Sequence, residues 1–87
     1  MEKKFVITDE AGLHARPATV VVNTASNYDS DIYLEYKGRR VNLKSIMGVM
    51  SLGVPRGGEI TVIVEGGDEE AAMEGIENAL RERGLID

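Results

Sequence analysis

A chain of 87 residues has room for one small domain spanning residues 1–87; at that size roughly 60 to 65% of the unfolded surface is buried, enough for one core and not for two. Its 43% apolar and 29% charged residues fit a soluble globular protein, with no apolar run near the ~18 residues of a membrane insertion and no cysteine for a disulfide or a thiolate metal site. A net charge of −5, with eight of the fifteen acidic residues from Glu65 onward, disfavours direct nucleic-acid binding through that part of the chain.

Met1-Glu2-Lys3-Lys4-Phe5 enters an alternating pattern and lacks the apolar core of a signal peptide, so a cytoplasmic location is expected. Phe5 and Ile7, alternating with Lys4, Val6 and Thr8, predict a first strand, and Asp9 to Gly12 a loop. Ala18, Val21, Val22 and Ala25 recur at helical spacing in a helix over 15–26. The Val20-Val21-Val22 run would by propensity also fit a strand, and Pro17 near the start decides for helix. Ile32, Leu34 and Tyr36 alternate with polar neighbours, Lys37-Gly38 makes a tight turn, and Val41 and Leu43 resume the alternation, which is a hairpin. Ser45 then precedes a short helix from Ile46 to Leu52, closed by Gly53 and broken at Pro55. Ile60, Val62 and Val64 mark a fourth strand over 59–65. Asp68 as N-cap, an apolar stripe of Ala72, Met73, Ile76, Ala79 and Leu80, Arg81 and Arg83 in the last turn and Gly84 as stop define the final helix. The order β-α-β-β-α-β-α suits a two-layer α/β sandwich.

Chemistry concentrates at Gly12-Leu13-His14-Ala15-Arg16-Pro17. The only histidine sits just before a first helical turn whose N–H groups, those of Ala15 and Arg16, have no partner within the helix and carry the positive end of its dipole. Arg16 adds a permanent fork-shaped donor suited to phosphate. A phosphate on His14 would meet both kinds of donor, and the same field would help keep the imidazole unprotonated and nucleophilic before it reacts. One histidine without cysteine cannot supply the usual zinc ligands, and no Gly-rich G-x-x-x-x-G-K-[ST] loop exists to hold a nucleotide. The group that His14 handles is therefore expected to come from another protein.

On the short helix, Ile46, Met47 and Met50 share one arc and Val49 and Leu52 another. Either the helix is buried nearly all round, or the first arc is an open docking patch, with Lys44 and Arg16 as a basic rim for an acidic partner. Ser45 reads as an N-cap. A phosphate there would be tolerated by the helix end and would repel an acidic partner from the patch beside it.

These two segments, Gly12 to Ala18 and Val41 to Gly53, resemble the active-site and regulatory-serine signatures of the histidine-containing phosphocarrier (HPr) family of the phosphoenolpyruvate-dependent sugar phosphotransferase system, the latter in the form found in low-GC Gram-positive bacteria. The resemblance covers the whole chain in length and element order. It implies an α+β, open-faced two-layer sandwich: a four-stranded antiparallel sheet with three helices on one face. It also implies a phosphoryl-group carrier, not an enzyme, with no cofactor and no metal. His14 would take phosphate on Nδ1 from phosphorylated Enzyme I and pass it to the A domain of a sugar-specific Enzyme II, with Arg16 stabilising the phosphate. An HPr kinase/phosphorylase would modify Ser45, and the serine-phosphorylated form would bind a LacI-type catabolite control repressor. Ile46, Met47 and Met50 match the family's apolar contact patch, and a monomer is the simplest state for a carrier that shows one face to several partners. A regulatory paralogue in the family works through the serine alone and lacks the histidine; the presence of His14 argues against that alternative. One departure is Ala11, where family members often carry Ser or Asn; loop order and the His14 tautomer are then expected to rest on backbone groups.

Overall fold

The computed structural model describes all 87 residues. Four strands, β1 (Glu2–Val6), β2 (Asp31–Tyr36), β3 (Arg39–Asn42) and β4 (Glu59–Glu65), alternate with three helices, α1 (Ala15–Ala25), α2 (Ile46–Met50) and α3 (Glu69–Glu82). They form one antiparallel sheet in the order β1-β4-β2-β3. The fold is the α+β open-faced sandwich.

Period-two alternation sends Ile32 and Leu34 of β2 and Ile60, Val62 and Val64 of β4 to one face of the sheet, where all five are buried. Val21, Val22 and Ala25 of α1 and Met73, Ile76 and Leu80 of α3 come down on them, in a single core cluster of 22 residues. The hairpin turn at Lys37-Gly38 has positive φ at both positions, 49° and 80°, the backbone that matches the twist of a two-residue β-hairpin.

Some boundaries differ from the sequence reading. Strand β1 starts at Glu2, pairing with Ile63, and stops at Val6, before Ile7. As an edge strand its extent is set by β4, and Ile7 instead exchanges backbone bonds with Gly57 and Gly58. Strand β3 ends at Asn42, and Leu43 reaches the core as its N–H bonds the Ile32 carbonyl at 2.9 Å. Helix α2 ends at Met50, with Leu52 buried in the turn beyond it. Asp68 does precede α3, but its side chain makes no capping bond. It turns away to accept from the N–H groups of Asp29, at 2.9 Å, and Ser30, at 3.0 Å, and from the Ser30 hydroxyl. The stop at Gly84 holds, with φ 70°. Leu85 N–H bonds the Leu80 carbonyl and Gly84 N–H the Arg81 carbonyl, a Schellman closure that buries Leu85.

Candidate functional site

The approach to α1 is fixed one residue at a time. Asp9 accepts from Ala11 N–H through Oδ1 at 2.8 Å and from Gly12 N–H through its carbonyl at 2.9 Å, closing a tight turn. Gly12 sits at φ +70°, and a Cβ there would run into the Val54 carbonyl oxygen and the Pro55 backbone. Leu13 then donates to the Val54 carbonyl at 2.9 Å and buries its side chain. His14 is thereby delivered to the N-cap position in an extended conformation, φ −87° and ψ 166°.

At that position its backbone works and its side chain stays free. The His14 carbonyl accepts from Ala18 N–H at 3.1 Å, while the imidazole makes no capping bond and is 41% exposed. Pro17 has no N–H to offer, and the N–H groups of Ala15 and Arg16 have no acceptor within the protein. Two donors at the positive end of an 11-residue helix therefore face outward beside a solvent-accessible imidazole, a setting suited to an anion.

Asp9, His14, Arg16, Pro17, Val20, Glu82 and Arg83 line a shallow groove of about 320 Å³. Four of its members, Asp9, Val20, Glu82 and Arg83, were not placed at the site by the sequence. Arg83 is brought there by the end of α3, nearly 70 residues away in the chain, and no local motif marks it. Asp9 approaches the imidazole, with Oδ2 3.5 Å from Nε2. The turn that contains Ala11 is held by this carboxylate as well as by backbone groups, a correction to the expectation of backbone groups alone.

Ser45 caps α2, its hydroxyl oxygen accepting from Gly48 N–H at 3.2 Å. The two arcs of the helix divide unevenly. Val49 is buried, Ile46 and Met50 pack half-buried against the core, and Met47 stands 82% exposed, so the open part of the arc centres on Met47. Lys44 does not join Arg16 in a rim. Its ammonium donates to the Tyr28 carbonyl at 2.7 Å, beyond the far end of α1, a helix about 16 Å long. The cation fixed on α2 is Arg39, whose guanidinium donates to the Ser51 carbonyl at 3.1 Å, at the helix C-terminus where positive charge is favoured.

The sequence profile described as the PTS HPr component phosphorylation site matches residues 1–82. The chain belongs to the PTS HPr family. Members of this family are phosphocarriers rather than catalytic enzymes. The fold agrees closely with the histidine-containing phosphocarrier protein of a Mycoplasma, at a TM-score of 0.98 and 38% identity, covering 100% of this chain and 99% of that one. HPr from Bacillus anthracis str. Ames gives 0.84 and 40%, over 91% and 94% of the two chains. Crh, the catabolite repression containing protein of Bacillus subtilis, described as a domain-swapped dimer, gives 0.74 and 41%, over 98% and 97%. No helix of the chain is long and apolar enough to cross a membrane.

Proposed function

We propose that this HPr-family chain is a sugar-uptake phosphocarrier that uses His14 as its phosphoryl acceptor. The imidazole Nδ1 lone pair attacks the phosphorus of phosphorylated Enzyme I, an N–P bond forms, and the bond to the donor breaks with its electron pair left on the donor. Transfer to an Enzyme II A domain repeats the exchange in the other direction, with His14 as the leaving group. The observation that carries this reading is the pair of unpartnered N–H groups, Ala15 and Arg16, directly after an exposed imidazole that spends nothing on capping. Phosphate on His14 takes up those donors and the Arg16 guanidinium, gaining charge-assisted hydrogen bonds that the bare helix end lacks. The phosphoryl donor and acceptor are proteins, so the site needs only to be reachable, which the shallow groove allows.

Met47, flanked by Ile46 and Met50, is the apolar floor on which those partners dock, and Arg16 is the charge that orients them. Lys44 serves as a docking cation only by leaving the Tyr28 carbonyl. Phosphorylation of Ser45 by an HPr kinase/phosphorylase places nearly two negative charges beside this floor, discouraging acidic partners and creating the form read by a LacI-type catabolite control repressor. These roles belong in the cytoplasm and are served by a monomer; light scattering at working concentration tests the latter.

The likeness to Crh favours a second reading, regulation through Ser45 alone. A protein of that kind has no use for a nucleophile placed at a free helix end. Incubation with Enzyme I and phosphoenolpyruvate separates the two: the carrier gains an acid-labile, alkali-stable phosphate that His14→Ala does not, and absence of label where a known carrier is labelled overturns the carrier reading. ATP and the serine kinase, in a parallel reaction, test Ser45 independently.

A further inference from the structure

We propose that Asp9 is a positioning residue for His14, holding the imidazole proton on Nε2 so that Nδ1 presents its lone pair to phosphorus. The inference rests on His14 being the carrier and adds what prepares it for attack.

A neutral imidazole has one N–H and one lone pair, and which nitrogen holds the proton is decided by what faces each. The Asp9 carboxylate divides its two oxygens. Oδ1 is held by Ala11 N–H at 2.8 Å, and Oδ2 lies 3.5 Å from His14 Nε2. An ionised carboxylate only accepts hydrogen bonds, so it favours the tautomer with Nε2–H and leaves Nδ1 unprotonated. At 3.5 Å the pair stands at ion-pair distance, outside the roughly 2.7–3.2 Å of an N–H···O hydrogen bond, so the carboxylate acts on the ring through its charge. Both ends of the link are stiff: the Asp9 turn is closed by Gly12 N–H, and Leu13 is tied to the Val54 carbonyl. The other charged side chains of the groove are Arg16, Glu82 and Arg83, and of these and Asp9 only Asp9 stands at ion-pair distance from the ring. Once Nδ1 carries phosphorus and Nε2 keeps its proton, the ring is cationic, and the same carboxylate balances that charge.

Asparagine at this position reverses the signal while keeping the turn. Its carbonyl oxygen still accepts from Ala11 N–H, and its amide then offers Nε2 a donor where an acceptor had been. Asp9→Asn should therefore shift the proton to Nδ1, whereas Asp9→Ala loses the turn and the bias together. Nitrogen-15 NMR of the unphosphorylated chain at about pH 9, where imidazole is neutral, is expected to show the Nε2–H tautomer in the parent and a raised Nδ1–H population in Asp9→Asn. Phosphotransfer from Enzyme I at the same pH should fall about tenfold or more in Asp9→Asn, the scale of one charge acting at ion-pair distance, with Asp9→Ala in between. A residue that only braces the turn gives the opposite order, with Asp9→Asn like the parent and Asp9→Ala slowest, and that order overturns the proposal. So does an Asp9→Asn variant whose tautomer matches the parent's. If the parent itself takes no label, the carrier reading fails, while the tautomer measurement still judges the Asp9 link by itself.

Discussion

Helices α1 and α2 begin alike in backbone and differently in chemistry. Both are entered through an extended N-cap residue, His14 at φ −87° and Ser45 at φ −117°. Ser45 turns its hydroxyl inward and accepts from Gly48 N–H, while the first two N–H groups of α2, those of Ile46 and Met47, stay unpaired. His14 makes no such bond, and the donors of Ala15 and Arg16 stay unpaired. At one start the cap side chain is bound. At the other it is free, because Pro17 has no N–H to be capped, and it stands beside two donors where an anion can bind. The contrast shows that a helix start becomes a site when its cap side chain is left free beside the unpaired donors that both starts share, and substitutions at the two ends can break or sharpen it.

The largest effect is expected at Gly12, because the open end exists only while its loop is held. Gly12→Ala forces a Cβ against the Val54 and Pro55 backbone at a φ of +70°. Combined backbone strain and overpacking should cost about 3 to 5 kcal/mol, lowering the thermal midpoint by well over 10 °C in a domain of this size. Calorimetry checks it, and a midpoint near the parent's would show that the loop is not what places His14. Val49→Ala on α2 comes next, at roughly 2 kcal/mol for a buried side chain, whereas Met47→Ala on the open arc should lie within about 0.5 kcal/mol of the parent. The same Met47→Ala is expected to weaken docking to Enzyme I, visible as a raised KM. Equal stability loss at both positions would mean that Met47 is part of the core.

The third prediction tests the two caps directly. Ser45→Ala removes a capping bond and should cost about 1 kcal/mol, while His14→Ala removes none and should leave the unfolding midpoint within about 0.5 kcal/mol of the parent as it abolishes phosphate acceptance. Urea titration resolves the difference. A His14→Ala variant less stable than Ser45→Ala would refute the view that His14 is spared structural duty.

How much of this could be read from the residues follows the same division. Ile32 and Leu34, Ile60 to Val64, and the stripe from Ala72 to Leu80 announced their elements, because period two and period 3.6 report directly on which side is buried. The N-cap positions of His14, Ser45 and Asp68 were legible for the same local reason. Side-chain partners were not. Lys44 was free to be assigned to a rim until Tyr28, 16 residues away, supplied a carbonyl. Asp9 looked like loop filler, since its reach to His14 depends on the turn at Gly12 and the anchoring of Leu13 to Val54. Arg83 entered the groove only because α3 ends beside α1. Hydrophobic periodicity is written along the chain, whereas the charges that surround His14 are assembled from three separate stretches.

The third helix start supplies the smallest effect and completes the comparison. Asp68 precedes α3 but gives its carboxylate to the Ser30 hydroxyl first of all, and to the N–H groups of Asp29 and Ser30, which together hold its pKa below the ordinary value of 3.8 against the opposing effect of burial. Each of these bonds favours the ionised form. Because the folded-state pKa lies below the unfolded one, the unfolded chain binds more protons between the two values and stability rises with pH across that window. The contribution is therefore fully present above about 3.8 and is lost as pH falls through the depressed folded value. Asp68→Asn, which keeps one acceptor oxygen and cannot ionise, should be less stable than the parent at neutral pH, and the gap should narrow on acidification. Glu77, held low by Lys3 and then Arg81, is present in both proteins and cancels in the difference. Urea titrations of the two proteins from pH 7 downward measure that gap directly. A gap that stays constant into the acid range would mean that the knot at Ser30 depends on shape and not on charge, leaving the cap of α3 closer in kind to Ser45 than to His14.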